Sequence, residues 1–95
     1  MDTLNSQAAE LEQLLKDLNQ SIDRLHNEYN KYFAGAEKRM PLAMREQVDK
    51  KFTKAQTLQR QIQNPSLNFR SQTVFSKYAS YKAMWDKKIA QSEGT

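Results

Sequence analysis

Residues 4–33 read LNSQAAELEQLLKDLNQSIDRLHNEYNKYF. Within this stretch Leu4, Ala8, Leu11, Leu15, Leu18, Ile22, Leu25, Tyr29 and Tyr32 recur at spacings of 4,3,4,3,4,3,4,3. A heptad rhythm of this kind keeps one stripe of a helix turned toward a partner helix. Leu14 and Phe33 flank the stripe and widen it beyond a two-stranded contact. No proline interrupts the run, and Leu, Glu, Gln, Lys and Ala, all good helix formers, dominate it. A helix over the whole stretch reaches ~45 Å, so this element sets the axis along which the rest of the chain must lie.

Two further helices follow from the breaks downstream. Gly35 stands where a left-handed residue closes a helix, and residues 34–41 read as a connection. Pro41 suits the first turn of a second helix, where its missing amide hydrogen costs nothing. From there Met44, Val48, Phe52, Ala55, Leu58 and Ile62 share one broad face, with Glu46, Asp49, Lys50, Lys54 and Arg60 largely away from it. Asn64-Pro65 supplies an N-cap and a first-turn proline for the third helix. In it Leu67, Ser71, Val74, Tyr78, Tyr81 and Trp85 repeat the 4,3,4,3,4 rhythm beside Phe75 and Ile89. Ser71, Thr73 and Ser76 lower its intrinsic propensity.

Short connections make neighbouring helices antiparallel. The expectation is an all-α fold, a three-helix antiparallel bundle over about 4–33, 42–62 and 66–91, with a coiled-coil-like first helix and a frayed tail at 92–95. The first helix outruns the second by about two turns. Residues 1–11 are therefore expected to project from a single domain spanning 1–95. The unpaired stripe of Leu4, Ala8 and Leu11 would then dimerise or receive a partner helix.

Composition narrows the function classes. Ninety-five residues suffice for one core, and two glycines with two prolines are too few turn residues for a many-stranded fold. The absence of cysteine excludes disulfides and thiolate metal sites and is compatible with a reducing cytoplasm. No apolar run approaches the ~18–20 residues that cross a bilayer. The start has neither the basic nor the apolar region of a signal peptide, so a cytoplasmic protein with no membrane attachment is expected. The net charge of +4 is unevenly spread: residues 1–33 carry six acidic and three basic groups, residues 34–62 three and seven, residues 63–95 two and five. An acidic first helix beside two basic segments implies attraction inside the fold.

The chain holds no catalytic constellation. His26 is the only histidine, on the flank of the heptad stripe, with no second His or Cys to complete a triad or a metal set. Glu10, Asp17 and Glu28 fall on the solvated side of the first helix. Gly35 and Gly94 stand alone, so no phosphate-cradling loop exists. No enzyme activity, cofactor, metal or small-molecule substrate is expected. Tyr29, Tyr32, Phe33, Phe69, Phe75, Tyr78, Tyr81 and Trp85 read first as the wide end of the core. They are interleaved with Arg70, Lys77, Lys82, Lys87 and Lys88, the mixture that stacks bases and neutralises phosphates. Two basic clusters, Lys38-Arg39 with Arg45 and Lys50-Lys51 with Lys54, complete that alternative.

The stretch Glu28-Tyr29-Asn30-Lys31-Tyr32-Phe33-Ala34-Gly35-Ala36-Glu37-Lys38-Arg39-Met40-Pro41 resembles a bacterial helical family with the pattern E-Y-x-x-[YF]-F-x-G-x-E-[KR]-x-x-P. A second block, Asn68-Phe69-Arg70-Ser71-Gln72-Thr73 followed by Tyr78, Tyr81 and Trp85-Asp86, is similar to that family's Arg-Phe and Trp-Asp blocks, with fewer Arg-Phe repeats here. The resemblance covers about residues 24–95. It implies a defined domain and no established activity. It also suggests that Phe33, Glu37, Arg70, Tyr78 and Trp85 meet at one end of the bundle, as a polar cluster or a recognition surface.

Two functions are thus expected in order. The first is a non-enzymatic interaction module that binds a protein partner, or itself, through the heptad stripe or the bundle end, using Leu4, Leu11, Leu15, Glu37, Arg70, Tyr78 and Trp85. The alternative is an RNA- or DNA-binding domain using Lys38, Arg39, Arg45, Lys50, Lys54, Arg70 and Lys77.

Overall fold

The computed structural model describes residues 3–93, with side chains from 6 to 92. Three helices account for nearly all of them: α1 Thr3–Phe33, α2 Leu42–Arg60 and α3 Pro65–Glu93. They pack as an all-α three-helix bundle. The helix ends follow the local chemistry. Gly35 takes φ +84°, the left-handed conformation that glycine adopts at least cost. This lets Ala36 N–H reach the Lys31 carbonyl (2.9 Å) and Gly35 N–H the Tyr32 carbonyl (3.1 Å), the paired closing bonds of a Schellman motif. Asn64 caps α3, its Oδ1 accepting from Leu67 N–H at 3.1 Å. Two boundaries differ from expectation. Pro41 is the N-cap of α2, not its first helical residue, and its carbonyl accepts from Arg45 N–H at 3.0 Å. Residues 92 and 93, expected to fray, continue α3.

Side-chain bonds between helices fix their directions. Arg70 meets Glu12 and Lys77 meets Asn19, both with a sequence offset of 58, so α3 runs parallel to α1. Lys51 meets Asp17 whereas Arg45 meets Tyr29, so α2 runs antiparallel to α1. The result is a rod of 57 × 18 × 15 Å. Its radius of gyration of 15.6 Å exceeds the ~12–13 Å of a spherical domain this size, so most of its surface is helix flank.

The heptad stripe becomes the core. Leu11, Leu15, Leu18, Ile22, Leu25 and Tyr29 of α1 are buried against Val48, Ala55 and Leu58 of α2 and Leu67, Phe75, Tyr78 and Trp85 of α3. Ile62, just past the end of α2, joins them. Ser71 is also fully buried, and its Oγ finds no hydrogen-bond partner among the described residues.

From Ala8 onward the stripe expected to lie open is covered. Leu11 is 0% exposed and Leu15 is 4% exposed, and Ala8 packs partly on the core. The Leu4 side chain lies outside the described residues. The reason is the four-residue turn between α2 and α3. It starts α3 more than one helical turn before Arg70, which stands abreast of Glu12, so α3 and Ile62 cover the stripe that α2 alone would leave open. Among the described residues, no helix is long and apolar enough to cross a membrane.

Candidate interaction surface

The polar heart of the bundle is a junction of all three helices. A tryptophan in a core position carries an indole N–H that must find an acceptor. Trp85 is fully buried and donates from Nε1 to His26 Nδ1 at 3.2 Å. His26 Nδ1 is therefore the unprotonated ring nitrogen, and Nε2 lies 3.4 Å from the Asn30 amide. The imidazole stacks on Tyr81 with centroids 4.2 Å apart and planes 6° from parallel. Tyr29 in turn stacks on Trp85, with centroids 4.4 Å apart. Arg45 of α2 closes the junction. Its Nη1 donates to Tyr29 Oη (3.0 Å) and Asp86 Oδ1 (2.8 Å), and Nη2 donates to Asp86 Oδ2 (3.2 Å). That two-pronged bond holds Asp86 below the usual carboxylate range. It also raises Arg45 above its ordinary value, against the opposing pull of burial. One turn lower, the Tyr78 hydroxyl donates to Asp49 Oδ1; burial first, then that bond, pushes the phenol above its ordinary value.

Along the rod, α1 supplies acids and its neighbours supply bases. Glu12 pairs with Arg70 (2.9 Å), Asp17 with Lys51 (3.1 Å) and Asp23 with Lys77 (2.6 Å). Lys51 also donates to Ser21 Oγ (2.9 Å) and Lys77 to Asn19 Oδ1 (2.9 Å). These pairs realise the attraction implied by the charge distribution. They also consume much of the basic excess: of the nucleic-acid candidates, Arg45, Lys50, Arg70 and Lys77 lie within 4.0 Å of a carboxylate. Lys38 and Arg39 are exposed in the α1–α2 connection, and Lys54 is exposed on α2.

Two ion-paired bridges, Glu12–Arg70 and Asp23–Lys77, cross the seam between α1 and α3. Between them lies an open groove of ≈ 660 Å³. Leu15 and Val74 line its apolar part; Gln13, Lys16, Asn19 and Thr73 are the polar lining. Phe69 stands on its edge with 75% of its surface exposed, unlike the aromatic side chains of the core. Leu42, at the α2 N-terminus, is 62% exposed, but the nearby recess is lined by Arg24, Asn27, Glu28 and Lys31 with only Met44 apolar. Phe69 is thus an exposed aromatic beside the apolar part of a groove.

The expected cluster of Phe33, Glu37, Arg70, Tyr78 and Trp85 does not assemble. Arg70 lies abreast of Glu12, near the start of α1, whereas Glu37 is exposed past the other end of α1. An α3 helix parallel to α1 forces that separation. Tyr78 and Trp85 are core residues, 6.3 Å apart between ring centroids and 0% exposed. Leu11 and Leu15 are equally enclosed, although Leu15 borders the floor of the groove. Residue reading missed His26, whose signal was the unmet need of a core Trp85 for an acceptor. It also missed Phe69, whose signal was an aromatic two residues off the Leu67–Ser71–Val74 stripe. No family model, curated protein or solved structure matches this chain, so the likeness of its two blocks to a bacterial helical family stands on the quoted residues.

Proposed function

We propose that this chain is a non-enzymatic protein-interaction module whose contact face is the α1–α3 groove around Phe69, not the heptad stripe. The observation that carries the reading is the exposure of Phe69 beside Leu15 and Val74. A large aromatic held in water at the edge of an apolar recess gains most by being covered, and such anchors dominate interface energetics. The paired charges flanking the groove form the polar rim that keeps such a patch soluble. The lack of cysteine suits a cytoplasmic setting. Nucleic-acid binding is the weaker reading, because carboxylates already neutralise Arg45, Lys50, Arg70 and Lys77.

The test is site-specific photo-crosslinking in cells that express the chain. A benzophenone side chain replaces Phe69, or Thr53 on the exposed surface of α2 as the control. Protein adducts at position 69 that are absent at position 53 are the expected result. Equal adducts at both positions, or RNA or DNA as the adduct at 69, would overturn the reading.

A further inference from the structure

We infer that the groove is self-complementary and that its occupant is a second copy of this chain, laid antiparallel across it about a two-fold axis. This rests on the groove being the contact face and names what fills it. An isologous interface needs an anchor and its receptor on the same patch, because each copy must supply both. That is the arrangement here: Phe69 stands at one end of the groove, and the Leu15–Val74 floor lies about one turn further along the rod.

The register follows from the offset of 58 between α1 and α3. It places Phe69 near the level of Leu11, Arg70 at Glu12 and Val74 at Lys16. A two-fold axis crossing the rod near the level of Leu14 carries Phe69 of each copy to about the level of residue 17 on the other. There it meets the apolar floor. The same axis sets Glu12 of each copy opposite Lys16 of its partner. Both residues line the groove one helical turn apart on α1, and Glu12, whose Oε1 accepts from Arg70, turns its second carboxylate oxygen to Lys16 of the other copy, so two opposite-charge contacts form at once. One axis thus satisfies both the apolar and the charged requirement; an axis along the rod would keep Phe69 of each copy at the level of Leu11, away from the Leu15–Val74 floor. The nine residues that line the groove fall short of the roughly 20–30 residues a side of a stable complex. The pairing is therefore weak and concentration-dependent.

Sedimentation equilibrium of the purified chain, from about 10 µM to 1 mM, tests this. Four samples are compared: wild type, Phe69→Ser, Lys16→Glu, and Lys16→Glu mixed with Glu12→Lys. Circular dichroism verifies the fold of each variant; these side chains are exposed and outside the core, and the Glu12–Arg70 pair that Glu12→Lys breaks is itself exposed. The expected result is a monomer–dimer equilibrium for wild type, weakened at least about tenfold by Phe69→Ser or by Lys16→Glu alone. Association returns in the mixture, because unlike charges again face each other at both contacts; the loss with Lys16→Glu alone marks the antiparallel register, since an axis along the rod would set Lys16 opposite Val74. A wild type that stays monomeric throughout, or a dimer indifferent to Phe69→Ser, overturns the inference, as does a mixture that fails to associate. A monomeric wild type together with a foreign protein adduct at position 69 would sink the second copy and keep the interaction module. Loss of both would sink the module too.

Discussion

At the scale of single residues, His26 shows what helical periodicity leaves unread. Its position beside Leu25 marks a stripe flank, and nothing in the spacing says which residue of a distant helix will face it. The structure uses it to satisfy the buried Trp85 indole and to stack on Tyr81. Removing the acceptor leaves a buried donor unpaired, a loss of about 1–3 kcal/mol. His26→Ala is expected to lower stability in that range, with His26→Phe close behind because it restores the stack and not the acceptor. Urea unfolding followed by fluorescence of Trp85, the only tryptophan, measures both. Wild-type stability in His26→Phe would show that the hydrogen bond contributes nothing net. Phe69 is the opposite case. Its identity was plain in the sequence, yet its exposure depends on which side of α3 the core claims, and that is decided by packing.

At the scale of elements, caps and stripes were legible because they are local. Gly35 and Asn64 declare helix ends by their own backbone and side-chain chemistry, and the 4,3 spacing declares a buried face. The ties between elements were not legible, since any Asp can face any Tyr until the register is known. The Tyr78–Asp49 bond between α3 and α2 carries a pH signature. The folded phenol titrates above its ordinary value of about 10. The contribution of Tyr78 is therefore complete below about pH 10 and is lost as the pH climbs through the folded value. Tyr78→Phe is expected to cost about 1–2 kcal/mol at pH 7. The gap to wild type then narrows above about pH 10. Urea midpoints of the two proteins from about pH 7 to 11 give the comparison, and other titrating groups cancel in the difference. A gap that widens with pH would reverse the sign and remove the bond as its cause.

At the scale of the whole molecule, the uneven charge along the chain has a structural consequence that composition alone only hints at. A heptad stripe is nearly indifferent to sliding by seven residues, because leucines replace leucines. Ion pairs are not. Glu12–Arg70, Asp17–Lys51 and Asp23–Lys77 lie at three successive levels of α1 and alternate between its neighbours, so a slide of either helix breaks them. Each is at least partly solvent-exposed and contributes only about 0.2–1 kcal/mol. Their combined effect is to select one register among near-equals. Reversing the three acids (Glu12→Arg, Asp17→Lys, Asp23→Lys) is expected to cost about 1–3 kcal/mol in total, through lost attraction and added repulsion. Reversing their partners as well (Arg70→Glu, Lys51→Asp, Lys77→Asp) should restore most of that loss, because the coupling lies between the pairs. Thermal unfolding at low salt reads the cycle, and raising the salt to about 1 M should shrink every difference. If the sixfold variant is no more stable than the threefold one, the charges do not act as pairs, and the register must rest on core shape alone.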